Sequence, residues 1–168
     1  MIGVFELLQQ IQNIAQKVSI PQIIMISNER QYAITRAELK KFEASLAELE
    51  PKSTSTMDFN DQMRHHLYLD ALNSQIDSFK EEIAEYERLK SGTVQRLNFD
   101  SLEQLPDALI KARIVRGLTQ GQLATSLGLK EQQIQQYEST RYANASLSRI
   151  VAVQSVLNIR IKEEVIFQ

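Results

Sequence analysis

Four glutamines crowd the segment Glu131-Gln132-Gln133-Ile134-Gln135-Gln136-Tyr137-Glu138. No other stretch of this chain concentrates so much hydrogen-bonding chemistry. A primary amide donates and accepts at once, so one glutamine can meet the edge of an adenine with two hydrogen bonds. On a helix advancing about 100° per residue, Ile134 defines an inward face, with Tyr137 and Glu138 within about 60° of it. Gln132 and Gln136 then fall within about 20° of the opposite pole, with Gln133 and Gln135 on the flanks. Isolated glutamines would be no more than solvated surface. Four of them on an outward face form a surface suited to reading base edges, provided that the fold presents it.

The element that would present it is legible upstream. Thr119 is a good helix N-cap, and Gln122 three residues on completes a capping box. Leu123, Ala124 and Leu127 follow at helical spacing, and Gly128 stands where a left-handed residue stops the helix. A second helix begins at once, with Ile134 and Tyr137 inward. Two helices joined this tightly must cross steeply, as in a helix-turn-helix. The second then stands out from the domain, where it can enter a major groove.

Residues 105–159 resemble the Xre, or lambda-repressor-like, helix-turn-helix family. The resemblance begins at Ile110-Lys111-Ala112-Arg113 and Arg116-Gly117-Leu118-Thr119-Gln120. It runs on through Leu123-Ala124, Leu127-Gly128, Ile134 and Tyr137-Glu138, and closes with Ser146-Leu147, Ile150, Val153 and Leu157. It covers about a third of the chain. It implies a five-helix domain that binds double-stranded DNA as a homodimer. It implies that Glu131, Gln132 and Gln136 read bases, that Gln120 contacts a phosphate, and that Arg113 pairs with Glu138. Lys130, Gln133, Gln135 and Arg141 would lie at the DNA backbone or flank. Two departures bear on this. Members often carry Asn-Gly after the glutamate, where this chain has Ser139-Thr140, and a proline before the next helix, where it has Tyr142-Ala143-Asn144-Ala145. The loop is therefore expected to take another shape, with Arg141 as its only cation. Glu131 can accept from a cytosine amino group or favour its helix N-terminus, and both readings stand.

The charge distribution is compatible with this. The chain of 168 residues is 43% hydrophobic and 24% charged, with a net charge of −2. Residues 105–168 hold eight Lys and Arg against five Asp and Glu, while residues 1–104 hold eleven against sixteen. The basic side coincides with the helix-turn-helix, but +3 is modest for a DNA-binding module. Two copies would be needed for affinity, and binding should fall with salt.

No catalytic or metal-binding constellation emerges, and no cofactor is expected. Cysteine is absent, which excludes disulfides and thiolate sites and agrees with a cytoplasmic protein. His65-His66 are adjacent, so they diverge on a helix and lack metal-ligand spacing. Glu81, Glu82, Glu85 and Glu87 read as a solvated helix face. No serine has a nucleophile-elbow context, and no apolar run approaches the roughly 18 residues of a membrane span.

The rest of the chain reads as helical. Residues 1–24 form an amphipathic helix and linker, with Val4, Phe5, Leu8, Ile11, Ile14, Ala15 and Val18 on one face and no basic n-region. Residues 25–93 form an antiparallel helical hairpin for assembly or partner binding. Its seams are Leu39-Phe42-Leu46-Leu49 and Leu69-Leu72-Ile76-Phe79-Ile83-Tyr86, broken by residues 50–56. The second seam is the longer, and either the first helix or another chain would cover its excess. Met25 is an alternative start. Residues 94–104 are a linker, and residues 105–168 are the DNA-binding domain, ending in a short β-strand in which Ile159, Ile161, Val165 and Phe167 alternate with polar residues. The fold class is all-α with this one strand. The function expected is a sequence-specific repressor, with an antitoxin that binds a toxin as one version. The competing reading is an interaction scaffold whose helix-turn-helix no longer reads DNA.

Overall fold

The computed structural model describes residues 25–49 and 58–162. Six α-helices and one 3-10 turn occur there, with no strand among the described residues. The helices are α1 (Glu29–Leu49), α2 (Phe59–Lys90), α3 (Leu105–Val115), α4 (Gln120–Ser126), α5 (Glu131–Ser139) and α6 (Leu147–Leu157), with the 3-10 turn at Leu102–Gln104 before α3. Residues 102–157 thus carry four α-helices and a 3-10 turn where the resemblance implies five helices. The expected helix at 1–24, the break at 50–56 and the end of the expected strand lie outside the described residues. Residues 158–162, its beginning, are irregular.

Two compact units share the long helices. In the first, Phe42 meets Phe79 edge-on with centroids 5.3 Å apart, Lys80 pairs with Glu43 at 3.2 Å, and Leu72 and Ile76 are buried. α2 starts ten residues before the expected seam because Asp58 caps it, its carboxylate accepting from the Asp61 N–H at 2.8 Å.

The second unit joins Ile26–Thr35 to residues from Ile83 onward. The start of α1 lies beside the end of α2: Tyr32 packs on Tyr86 at 5.2 Å, and Glu29 accepts from the Tyr86 hydroxyl at 3.0 Å and from Lys90. Burial and the Glu29 carboxylate push the Tyr86 hydroxyl up to about 12. The hydrogen bond from Lys90, followed by that from Tyr86, outweighs desolvation and holds Glu29 below its ordinary value. The acidic face of α2 is not merely solvated, contrary to its reading in the sequence. Glu85 binds Arg88 and reaches Lys111 of α3 at 3.0 Å, and Glu87 accepts from Tyr32.

Local chemistry shapes the helical domain. Pro106 sits in the first turn of α3, where its missing N–H costs nothing. Gly117, at φ 67°, ends that helix, and the Leu118 N–H closes on the Arg113 carbonyl at 3.1 Å. Thr119 and Gln122 form the reciprocal capping box of α4. Gly128, at φ 65°, then turns the chain into α5. Leu109, Ile110, Leu123, Ala124, Ile134, Val153 and Leu157 are each at most 2% exposed, making one core under α3–α6. Each large aliphatic side chain there contributes about 1.5–3 kcal/mol on burial.

Candidate nucleic-acid interface

With Ile134 fully buried, α5 turns its opposite side outward. Gln132 and Gln136 are exposed on that side, and neither side chain has a hydrogen-bond partner among the described residues. The flanking glutamines are already engaged. The Gln133 amide oxygen accepts from the Lys130 backbone N–H at 3.0 Å, so it caps α5. Gln135 donates to Glu131 at 3.2 Å. The Glu131 carboxylate also lies against Gly121, where an added Cβ would meet its Oε2 at 3.1 Å. It therefore sits near the N-terminal turn of α4 as well as that of α5, an arrangement that both helix dipoles favour. Lys130 is exposed at the start of α5.

Behind this face lies a buried polar cluster. Arg113 donates from Nε and Nη2 to the two Glu138 carboxylate oxygens, at 2.5 and 2.7 Å. The two side chains are 3% and 2% exposed. Arg113 also donates to the carbonyls of Leu118 and Ser27, at 2.8 and 2.7 Å. Gln120 is not at the surface where a phosphate contact would need it. It is 8% exposed, donates to Glu138 at 2.7 Å and accepts from Asn28 at 3.4 Å. In this structure Gln120 helps to hold the end of α5.

Ser27 and Asn28 belong to this cluster, and sequence reasoning missed them. Asn28 caps α1 by accepting from the Gln31 N–H at 3.0 Å, and Gln31 accepts from Ser27 N–H and hydroxyl at 2.8 and 2.9 Å. The Asn28–Gln31 spacing is a capping-box signal. It could have located the helix start, though not the docking of the preceding residues on Arg113. Ile26, 2% exposed, anchors the same strap.

The loop after α5 differs from the family pattern in a definite way. Arg141 and Tyr142 both adopt positive φ, 48° and 55°, and the Tyr142 N–H reaches the Tyr137 carbonyl at 2.7 Å. Tyr142 then stacks on Tyr137 with centroids 5.9 Å apart. It is 3% exposed, its hydroxyl has no hydrogen-bond partner, and burial pushes that hydroxyl above its usual range. The loop cation Arg141 stays 65% exposed while lying 3.4 Å from Asp107. Of the other cations, Lys111 and Arg113 are paired, and Arg116 donates to the Leu157 and Asn158 carbonyls at 2.8 and 2.6 Å.

His65 and His66 diverge on α2, with ring centroids 6.4 Å apart. Among the described residues, no three His, Asp or Glu side chains group so as to hold a metal, and no helix is long and apolar enough to cross a membrane.

A capped helix, a glycine turn and a second helix with its polar face outward define a helix-turn-helix domain. Residues 109–163 match the family model described as Helix-turn-helix, which agrees with the resemblance read over 105–159. No curated protein and no solved structure matches the chain.

Proposed function

We propose that this protein is a sequence-specific transcriptional regulator, a repressor acting as a homodimer on an inverted repeat in double-stranded DNA. The observation that carries the proposal is the pair of unpartnered amides, Gln132 and Gln136, one turn apart on the exposed face of α5. Both have unused donors and acceptors, and α5 is held from behind by the Arg113–Glu138 pair. Base reading needs such a fixed, unsatisfied surface. Lys130 and Arg141 are the cations beside it that would meet phosphates. Gln133, Gln135 and Glu131, engaged within the domain, would shape this face and contribute less to discrimination.

So few cations beside this face favour a dimer, because one such module buries too little surface for specific affinity at physiological salt. The pairing of α1 with α2 supports a helical hairpin that adds an assembly or partner-binding arm. Selection of bound sequences from a random duplex pool tests the reading. A two-fold sequence with half-sites about 10 base pairs apart is expected. Mobility shifts on the selected and a scrambled duplex, at rising salt, complete the test. Equal affinity for both duplexes would favour the scaffold reading.

A further inference from the structure

A groove of about 960 Å³ opens on the DNA-binding unit. α3 floors it through Leu105, Ala108, Leu109 and Ala112, and two irregular chain segments, 94–99 and 158–162, form its walls. Val94, Leu97, Phe99, Val115, Ile159 and Ile161 line it and are only half-buried. Arg96, Arg116, Arg160 and Lys162 also line it, and among the described residues no Asp or Glu does.

The walls have the pattern of strands without partners. Exposed Asn98 is flanked by half-buried Leu97 and Phe99, and exposed Arg160 by Ile159 and Ile161, the period of two that a strand requires. Among the described residues, no backbone group of 94–99 or 160–162 has a backbone hydrogen-bond partner. Unpaired edges of this kind capture extended chain through its main-chain groups. The lining adds that the captured chain should be apolar and carry carboxylates.

We infer that the groove receives the segment Glu163-Glu164-Val165-Ile166-Phe167-Gln168 of a second copy of this chain. It offers two carboxylates and three apolar side chains within six residues, and fully extended it would reach about 20 Å. It follows directly on Lys162, itself part of one wall. Exchange between two chains places the carboxylates of each on the cations of the other and closes under two-fold symmetry. The exchange names the interface of the homodimer proposed above and rests on that part of the reading. Its test contains no DNA, so its failure leaves base recognition by α5 to be judged separately.

Two full-length chains of reversed charge supply the test, one with Arg160→Glu and Lys162→Glu, the other with Glu163→Lys and Glu164→Lys. Sedimentation equilibrium should show a wild-type dimer, and a dimer dissociation constant weakened about tenfold or more in each variant alone, because opposed like charges replace attractive pairs. Mixing the two variants should restore wild-type affinity, since every contact then joins opposite charges. Three results would overturn the inference: a monomeric wild type, variants as dimeric as wild type, or weakened variants that mixing does not rescue. Variants that keep their oligomeric state but melt lower would point to docking within one chain, which also overturns it.

Discussion

Glu138→Ala tests whether the end of α5 is held by a buried charge pair. In the wild type the Glu138 carboxylate accepts two hydrogen bonds from Arg113 and one from Gln120. Removing it strands a guanidinium whose side chain is only 3% exposed. Loss of one partner of such a pair costs about 3–5 kcal/mol. The Leu118 and Ser27 carbonyls stay on Arg113 and keep it partly satisfied, so the lower end, about 3 kcal/mol, is expected. In a unit of under 100 residues, 1 kcal/mol moves the melting temperature by roughly 4–8 °C. The midpoint should therefore fall by roughly 12–24 °C in a thermal melt followed by circular dichroism. Adding Arg113→Met should cost nothing further, or recover part of the loss, because the stranded charge goes with it. A fall of less than about 4 °C in Glu138→Ala, or strictly additive losses in the double variant, would refute the argument.

Gln136→Ala should leave the melting temperature unchanged and cost about 1–3 kcal/mol on the selected duplex alone, whereas Gln120→Ala should lower the melting temperature because its bonds to Glu138 and Asn28 are internal. Arg141→Gly should stabilise the fold by about 1 kcal/mol by relieving its positive φ, while weakening binding to selected and scrambled duplexes alike and flattening the salt dependence in mobility shifts. Tyr142→Phe removes a buried hydroxyl without a partner and should be neutral or stabilising by about 1 kcal/mol in urea unfolding; a clear loss of stability would mean that the hydroxyl is satisfied. Glu85 is held down to about 2, from 4.5, first by its hydrogen bond from Arg88 and then by Lys111, against an opposing desolvation. As pH falls the unfolded chain binds this proton first, so the contribution of Glu85 is complete above about pH 4.5 and lost toward pH 2. The stability difference between wild type and Glu85→Gln should shrink across that window.

Where the chain's neighbours in sequence are also its partners, the structure was legible in advance. The Thr119–Gln122 capping box, the stop at Gly128 and the inward position of Ile134 each depend on residues within a turn or two. The same holds for the seam of α2, whose Leu72, Ile76, Phe79 and Tyr86 are buried as their spacing predicts. The outward placement of Gln132 and Gln136 follows from helix periodicity once Ile134 is inside.

What periodicity does not carry is which distant surfaces meet. Ser27 lies 86 positions from Arg113, yet its carbonyl accepts a hydrogen bond from the guanidinium. Gln120 looks like a surface amide at a helix start, and only the convergence of α4, the end of α5 and the Asn28 cap withdraws it from solvent. Glu85 belongs to a charged helix face by pattern and to Lys111 by packing. A polar side chain sits equally well in water or in a buried network, so local sequence leaves its place open. An apolar stripe has only one favourable side. That asymmetry makes the helices readable from sequence, while the polar cluster joining the start of α1 to α5 becomes visible only when the chain is folded.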